Sequence, residues 1–153
     1  MGEDRFDIAN QLRLEHEAVL QMVRQVEQFI GLPDLSAIGP GWSESLARSL
    51  GLLKSRLKNH FAFEEAGGFM EDIVKVIPSA AGWIEKLRAD HERFLAALDQ
   101  LSAFAKSLTS MTDSSFANLC EEVRQFLGDL RRHENEENDL VQTAFVDDLG
   151  MVD

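Results

Sequence analysis

The chain has no tyrosine, one cysteine, three prolines and two tryptophans. Each shortage removes a class of chemistry or architecture. Without tyrosine, no tyrosyl radical can be generated beside a metal. Cys120 has no partner for an internal disulfide, and its place between Leu119 and Glu121 in a helical pattern makes it a small packing residue rather than a nucleophile. A lone cysteine suits a reducing compartment, and a cytoplasmic location is expected. No apolar run reaches the ~18 residues of a membrane-spanning helix, and the stretch Met1 to Asp7 lacks the apolar region of a secretory leader. Cations are outnumbered, with 15 Lys and Arg against 27 Asp and Glu and a net charge of −12. That balance argues against nucleic acid and anionic membrane surfaces as partners.

What is present favours helix. Ala, Leu, Glu, Gln, Arg and Lys are abundant, and 44% of the 153 residues are hydrophobic. This is enough for one domain, 1–153, with a sizeable core. Four segments carry an apolar seam whose steps alternate between three and four residues, the spacing of a core-facing bundle helix. The first runs from near Asp4 to about Ile30, with Leu12, His16, Val19, Val23, Val26 and Ile30 on its seam. Residues 31–42, which include Gly31, Pro33, Gly39, Pro40 and Gly41, read as a loop, and Ser43 as the N-cap of the second helix. The second seam is Leu46, Leu50, Leu53, Leu57, His60 and Glu64. Gly67-Gly68 predicts a kink or local weakness, with helix resuming through Phe69 to Ile77 and a turn at Pro78.

The third helix is expected from about Ala80 to Leu108, with Ile84, Leu87, His91, Phe94, Leu98, Leu101 and Ala105 on its seam. Thr109 to Ser115 reads as a polar connector. The fourth helix covers about Ser114 to Phe145, with Phe116, Leu119, Val123, Phe126, Leu130, His133, Glu137 and Leu140 in line, and Val146 to Asp153 reads as a frayed tail. Four long amphipathic segments with short connections predict an all-α fold, an up-down-up-down antiparallel four-helix bundle.

All four histidines lie on these seams. His60-Phe-Ala-Phe-Glu64 and His133-Glu-Asn-Glu-Glu137 are both H-x-x-x-E, which aims an imidazole and a carboxylate at one place on a helix face. His16 and His91 stand singly. Glu64 and His91 are 14 and 13 residues either side of Pro78, and the distances of the other histidines from their helix ends also agree. At ~1.5 Å per residue, antiparallel helices bring all six groups within about a turn of one level. Burying them without partners costs several kcal/mol each. No cation shares the seams, since Lys58, Arg131 and Arg132 fall off them.

A pair of metal ions balances such a set directly. Four imidazoles and two carboxylates, with no thiolate, suit Fe, Mn or Zn. The simplest partition gives His16 and His60 to one ion and His91 and His133 to the other. Glu64 and Glu137 would then bridge ions ~3.5–4 Å apart. Room is left for an oxo or hydroxo bridge and a small ligand. Of the other carboxylates, Glu65 and Glu134 are expected to be exposed, and Glu136 is the understudy to Glu137. Glu15, Glu17, Asp90 and Glu92 are expected to be surface charges. Phe61 and Phe63 read as packing residues.

Across nearly its whole length the chain resembles the hemerythrin-like, or HHE cation-binding, domain family. The resemblance is carried by His16 in the first helix and the H-x-x-x-E-E of His60 to Glu65 followed by Gly-Gly. It continues through Pro78, Asp90-His91 with Phe94, and the closing H-x-x-x-E. It implies a four-helix bundle with a non-haem di-iron centre, two iron ions cycling between Fe2+ and Fe3+. Such a centre binds or senses O2 or NO, reacts with peroxide, or responds to iron and redox state. Oxygen-carrying hemerythrins are similar but have a fifth histidine where this chain has Leu87, and close with H-x-x-x-x-D where it has Asn138. A di-iron enzyme (a peroxidase, an NO-handling protein or an iron-centre repair protein) and a metal-free helical interaction module are the alternatives. The sequence names no protein partner.

Overall fold

The computed structural model describes residues 2–31, 40–66, 69–108 and 113–147. They form α1 (Gly2–Gly31), α2 (Pro40–Ala66), the short α3 (Phe69–Val76), α4 (Ala81–Ser107) and α5 (Asp113–Val141). A 3-10 turn, Pro78–Ala80, leads into α4, and a π-helical turn, Gln142–Asp147, extends α5. The four long helices close a ring of neighbours in the order α1, α2, α4, α5 and back to α1. This is the up-down-up-down antiparallel bundle expected from the seams. No described helix is long and apolar enough to cross a membrane.

Several boundaries differ from the expected ones. The second helix begins at Pro40, a residue suited to a first helical turn because its missing N–H would have no partner there. Ser43 therefore sits inside α2, buried, and is not its N-cap. Trp42 packs where a loop was expected, stacked on Phe29 at 5.3 Å and tilted against Phe116 at 4.9 Å. These ring contacts reward continuing the helix back through Gly41. The expected kink at Gly67-Gly68, most of the first loop and of the 109–115 connector, and the end of the tail lie outside the described residues. At Pro78 the chain does turn: Ile77 N–H still donates to Ile73 O at 2.7 Å, and Ala80 N–H closes the 3-10 turn onto Ile77 O at 2.9 Å.

Every residue on the four seams is buried. Their apolar members separate into two clusters. The larger fills one end of the bundle with residues such as Val23, Leu50, Leu53, Leu98 and Val123. The smaller gathers Leu12, Leu87 and Leu140 with Phe69, Met70 and Ile73 of α3 and Ala144 of the π-helical turn. Between these two clusters lie the buried histidines and glutamates.

Adjacent leucines test the register. Leu53 is 0% exposed and its neighbour Leu52 is 59% exposed. Leu53→Ala is expected to lower stability by ~2–5 kcal/mol, and Leu52→Ala to change it by no more than ~0.5 kcal/mol, in urea denaturation followed by circular dichroism. Equal losses would mean that α2 does not present its seam as described.

Candidate metal centre

Four helices deliver ligand-type side chains to one layer: His16 from α1, His60 and Glu64 from α2, His91 from α4, and His133 and Glu137 from α5. All six are at most 2% exposed. A seventh residue joins them. Glu134, expected to be exposed, is fully buried and stands among the histidines. The reason is that α5 packs on both α1 and α4 and so buries two adjacent positions in each heptad: Leu119 and Cys120, Phe126 and Leu127, His133 and Glu134, Leu140 and Val141. Glu134 lies in line with Cys120, Leu127 and Val141. That second stripe was the available signal, and a single seam hides it.

The histidines form two edge-to-face pairs. The rings of His16 and His60 are 4.9 Å apart at 68°, and those of His91 and His133 are 5.0 Å apart at 67°. Carboxylates stand around and between the pairs. The Glu134 carboxylate lies 2.7 Å from His16 Nε2 and 3.6 Å from His60 Nε2. Glu64 Oε1 contacts His60 Nε2 and is 4.0 Å from His16 Nε2, while its Oε2 is 3.7 Å from His91 Nε2. Glu137 Oε1 lies 2.9 Å from His133 Nε2 and 3.7 Å from His16 Nε2, and its Oε2 is 3.9 Å from His91 Nε2. Two donor groups of metal-site dimensions result: His16, His60, Glu134 and Glu137, and His91, His133 and Glu137. Glu137 belongs to both, and Glu64 reaches both pairs with separate oxygens.

The electrostatics of this layer are those of a set of donors without a cation. None of the Lys or Arg side chains among the described residues is buried. Both oxygens of Glu64, Glu134 and Glu137 and the Nε2 atoms of His16 and His60 have no hydrogen bond of acceptable geometry, although nitrogen and oxygen approach closely. They converge on shared space rather than along donor–acceptor lines. Burial pushes the Glu64 carboxyl up from its usual range, against the pull of His60. Burial alone would push the His60 imidazole down, but Glu134 and Glu64 overcome it and carry it up to about 10. His16 and His60 outweigh the burial of Glu134 and hold its carboxyl at about 2. Burial, reinforced by the neighbouring imidazoles His133 and His60, pushes His91 down to about 3, and burial also lowers His133. A cation that bound there would compete with the proton on His60.

The outer edges of the rings have their own partners. His16 Nδ1 is bonded to Asn138 Oδ1 at 2.6 Å, and His133 Nδ1 to Asp90 Oδ2 at 3.3 Å. His60 Nδ1 and His91 Nδ1 make no hydrogen bond; Glu15 stands 3.7 Å from the first and Glu65 3.9 Å from the second. An acceptor at Nδ1 favours the ring proton there, as Asn138 does for His16 and Asp90 for His133, and leaves Nε2 available to a cation; His91 Nε2 and His133 Nε2 are themselves hydrogen-bonded at 3.2 Å. Asp90, expected to be a plain surface charge, is therefore a partly buried support of His133, and Glu15, expected to be the same, stands partly buried beside His60. Arg93 in turn donates to Asp90 at 2.9 Å, and Arg56 to Glu15 at 3.2 Å. Burial alone would raise the Asp90 carboxyl, but Arg93 and His133 hold it below its ordinary value. Glu65, at 41% exposure, is solvated as expected. Phe61 is a packing residue of a particular kind, stacked on the His91 ring at 3.9 Å and 7°.

The contacts repeat. Each half of the chain has an acid followed by a histidine (Glu15-His16, Asp90-His91), then H-x-x-x-E and a further acceptor (His60 to Glu65, His133 to Asn138). In the bundle, Glu15 stands beside His60 as Asp90 stands beside His133, and Asn138 supports His16 as Glu65 approaches His91. The two ring pairs share one geometry. A pseudo-twofold relation thus links α1 and α2 to α4 and α5 at this layer.

No curated protein and no solved structure gives a significant match to the chain. The family model for the hemerythrin HHE cation-binding domain matches it over residues 7–145, a span that holds all seven buried ligand-type residues and their outer partners. The chain belongs to the hemerythrin HHE cation-binding domain family.

Proposed function

We propose that this chain holds two iron ions and uses them to bind or sense O2 or NO, or to respond to iron or redox state. The observation that carries the reading is the convergence of buried, unbonded nitrogen and oxygen atoms from four helices on one layer, with no buried Lys or Arg among the described residues to answer them. Four imidazoles and three carboxylates without thiolate match the donor preference of iron, with Mn and Zn suited by the same atoms. In this reading His16, His60 and Glu134 hold one ion and His91 and His133 the other, while Glu64 and Glu137 span the two. Bound there, the iron pair supplies reversible one-electron chemistry and coordination positions for a small ligand. The chain's own part is to aim the Nε2 lone pairs inward through the outer acceptors and to keep bulk water out with two apolar clusters. Leu87 is buried in the second of these, one turn from His91, and Asn138 faces outward to His16. Both observations support a four-histidine centre.

Anaerobic loading with Fe(II) is expected to give about two irons per chain. The absorption spectrum before and after O2 then sorts the functions. Near-UV bands that appear with O2 and vanish on its removal mean reversible binding. Bands that persist until a reductant is added mean oxidation, and hence a redox sensor or an enzyme. No iron uptake would overturn the proposal and leave a helical interaction module.

Glu64→Ala and His133→Ala are each expected to abolish tight binding of the pair, with apparent affinity reduced by more than ~100-fold, since even an outer partner is worth 10–100-fold. Unchanged stoichiometry and affinity in both variants, measured by competition with a chelator, would refute the ligand assignment. Asp90→Ala keeps every inward donor but frees His133 Nδ1, and is expected to lower metal affinity by ~10–100-fold. An Asp90→Ala chain that competes with the chelator as well as the wild type does would show that Asp90 has no hold on His133.

A further inference from the structure

The pseudo-twofold relation fails at one pair of positions, and the failure divides the labour of the site. The residue after His133 is Glu134, and the residue after His60 is Phe61. Both are buried and both turn toward the lone histidine of the opposite half. Glu134 places a carboxylate oxygen 2.7 Å from His16 Nε2. Phe61 lays its ring flat on His91 at 3.9 Å. Everything else that faces the centre has a counterpart: His16 and His91, His60 and His133, Glu64 and Glu137. The His16–His60 half therefore has one anionic donor more than the His91–His133 half, and the latter has a hydrocarbon face in its place.

We infer that the His91–His133 half is where a small exogenous ligand binds, and that Phe61 keeps that position open by withholding the carboxylate that Glu134 supplies to the other half. This rests on the di-iron reading above and adds which of the two halves is reactive. Two further observations agree. A cleft of about 120 Å³ between α4 and α5 reaches His133 of this half, lined also by Phe94 and Asp90 and by charges of both signs, among them Arg93 and Glu136. Phe94 stands edge-on to His133 at 5.2 Å and Phe61 edge-on to it at 6.2 Å, so the space beside this pair is walled by aromatic carbon. Such a wall favours a compact ligand of two or three atoms over a hydrated or branched one. Glu134, by contrast, occupies the corresponding space beside His16 with charge.

Azide is a suitable probe, being triatomic and strongly coloured with ferric iron. The oxidised, iron-loaded wild type is expected to bind about one azide per chain, at its single open half. Phe61→Glu supplies the missing carboxylate and is expected to retain both irons while weakening azide binding by ~10-fold or more. Glu134→Ala opens the other half and is expected to bind about two azides if both irons stay, or about one if only the His91–His133 iron stays. The inference is overturned if Phe61→Glu keeps both irons and binds azide as tightly as the wild type. It is equally overturned if Glu134→Ala keeps both irons and gains no second azide, or keeps one and binds none. Should Phe61→Glu fail to fold, Glu134→Ala decides alone. A wild-type chain that takes up no iron overturns the di-iron reading itself, whereas two irons with azide indifferent to both substitutions overturn only this assignment.

Discussion

Three carboxylates and four imidazoles buried in one layer of a helical bundle must be balanced, and the rest of the structure is arranged around that requirement. The apolar core is split in two by the layer, with the larger cluster on one side and the α3 cluster on the other. No lysine or arginine among the described side chains is buried to answer the charge. Isolated burial of so many ionisable groups would cost more than a domain's entire margin of stability. The His60 imidazole, raised by the Glu134 and Glu64 carboxylates beside it, offsets part of that cost. A metal ion held by the same atoms would offset more, because it would meet several donors at once.

The layer also explains why the outer partners matter. A histidine in apolar surroundings can turn its ring or exchange its tautomer at little cost. Here Asn138 and Asp90 fix two rings through Nδ1, with Glu15 and Glu65 at longer reach beside the other two. Phe61 holds the His91 ring by its face rather than by an edge. Directional support of this sort is what separates a cluster of polar residues from a set of aimed lone pairs.

Much of this was legible in the sequence, and what was missed has specific physical causes. The alternation of three and four along four seams located the bundle, its buried faces and six of the seven inward residues, since period and burial are tied together in any helix with one wet face. Glu134 escaped because α5 contacts two neighbours and has two buried stripes, so that a strict single seam sends its second stripe to solvent. Ser43 was misplaced because Gly39, Pro40 and Gly41 carry loop signals, while the aromatic contacts of Trp42 with Phe29 and Phe116 come from tertiary packing that no local pattern encodes. Asp90 and Glu15 read as solvated charges in the sequence because each sits beside its own helix's histidine there but faces the histidine of the next helix in space. Only the bundle brings those pairs together.

That displacement by one helix has a topological result. Glu15 of α1 faces His60 of α2, Glu65 of α2 faces His91 of α4, Asp90 of α4 faces His133 of α5, and Asn138 of α5 faces His16 of α1. The links run once round the bundle and close on themselves, like four people each holding the next one's wrist. Removing any helix opens two links rather than one, its own histidine's and its neighbour's. Two of these links are hydrogen bonds and two are closer to charge proximities, but at this height the bundle has no terminal member: every helix both offers an acceptor to one neighbour's histidine and faces one from the other.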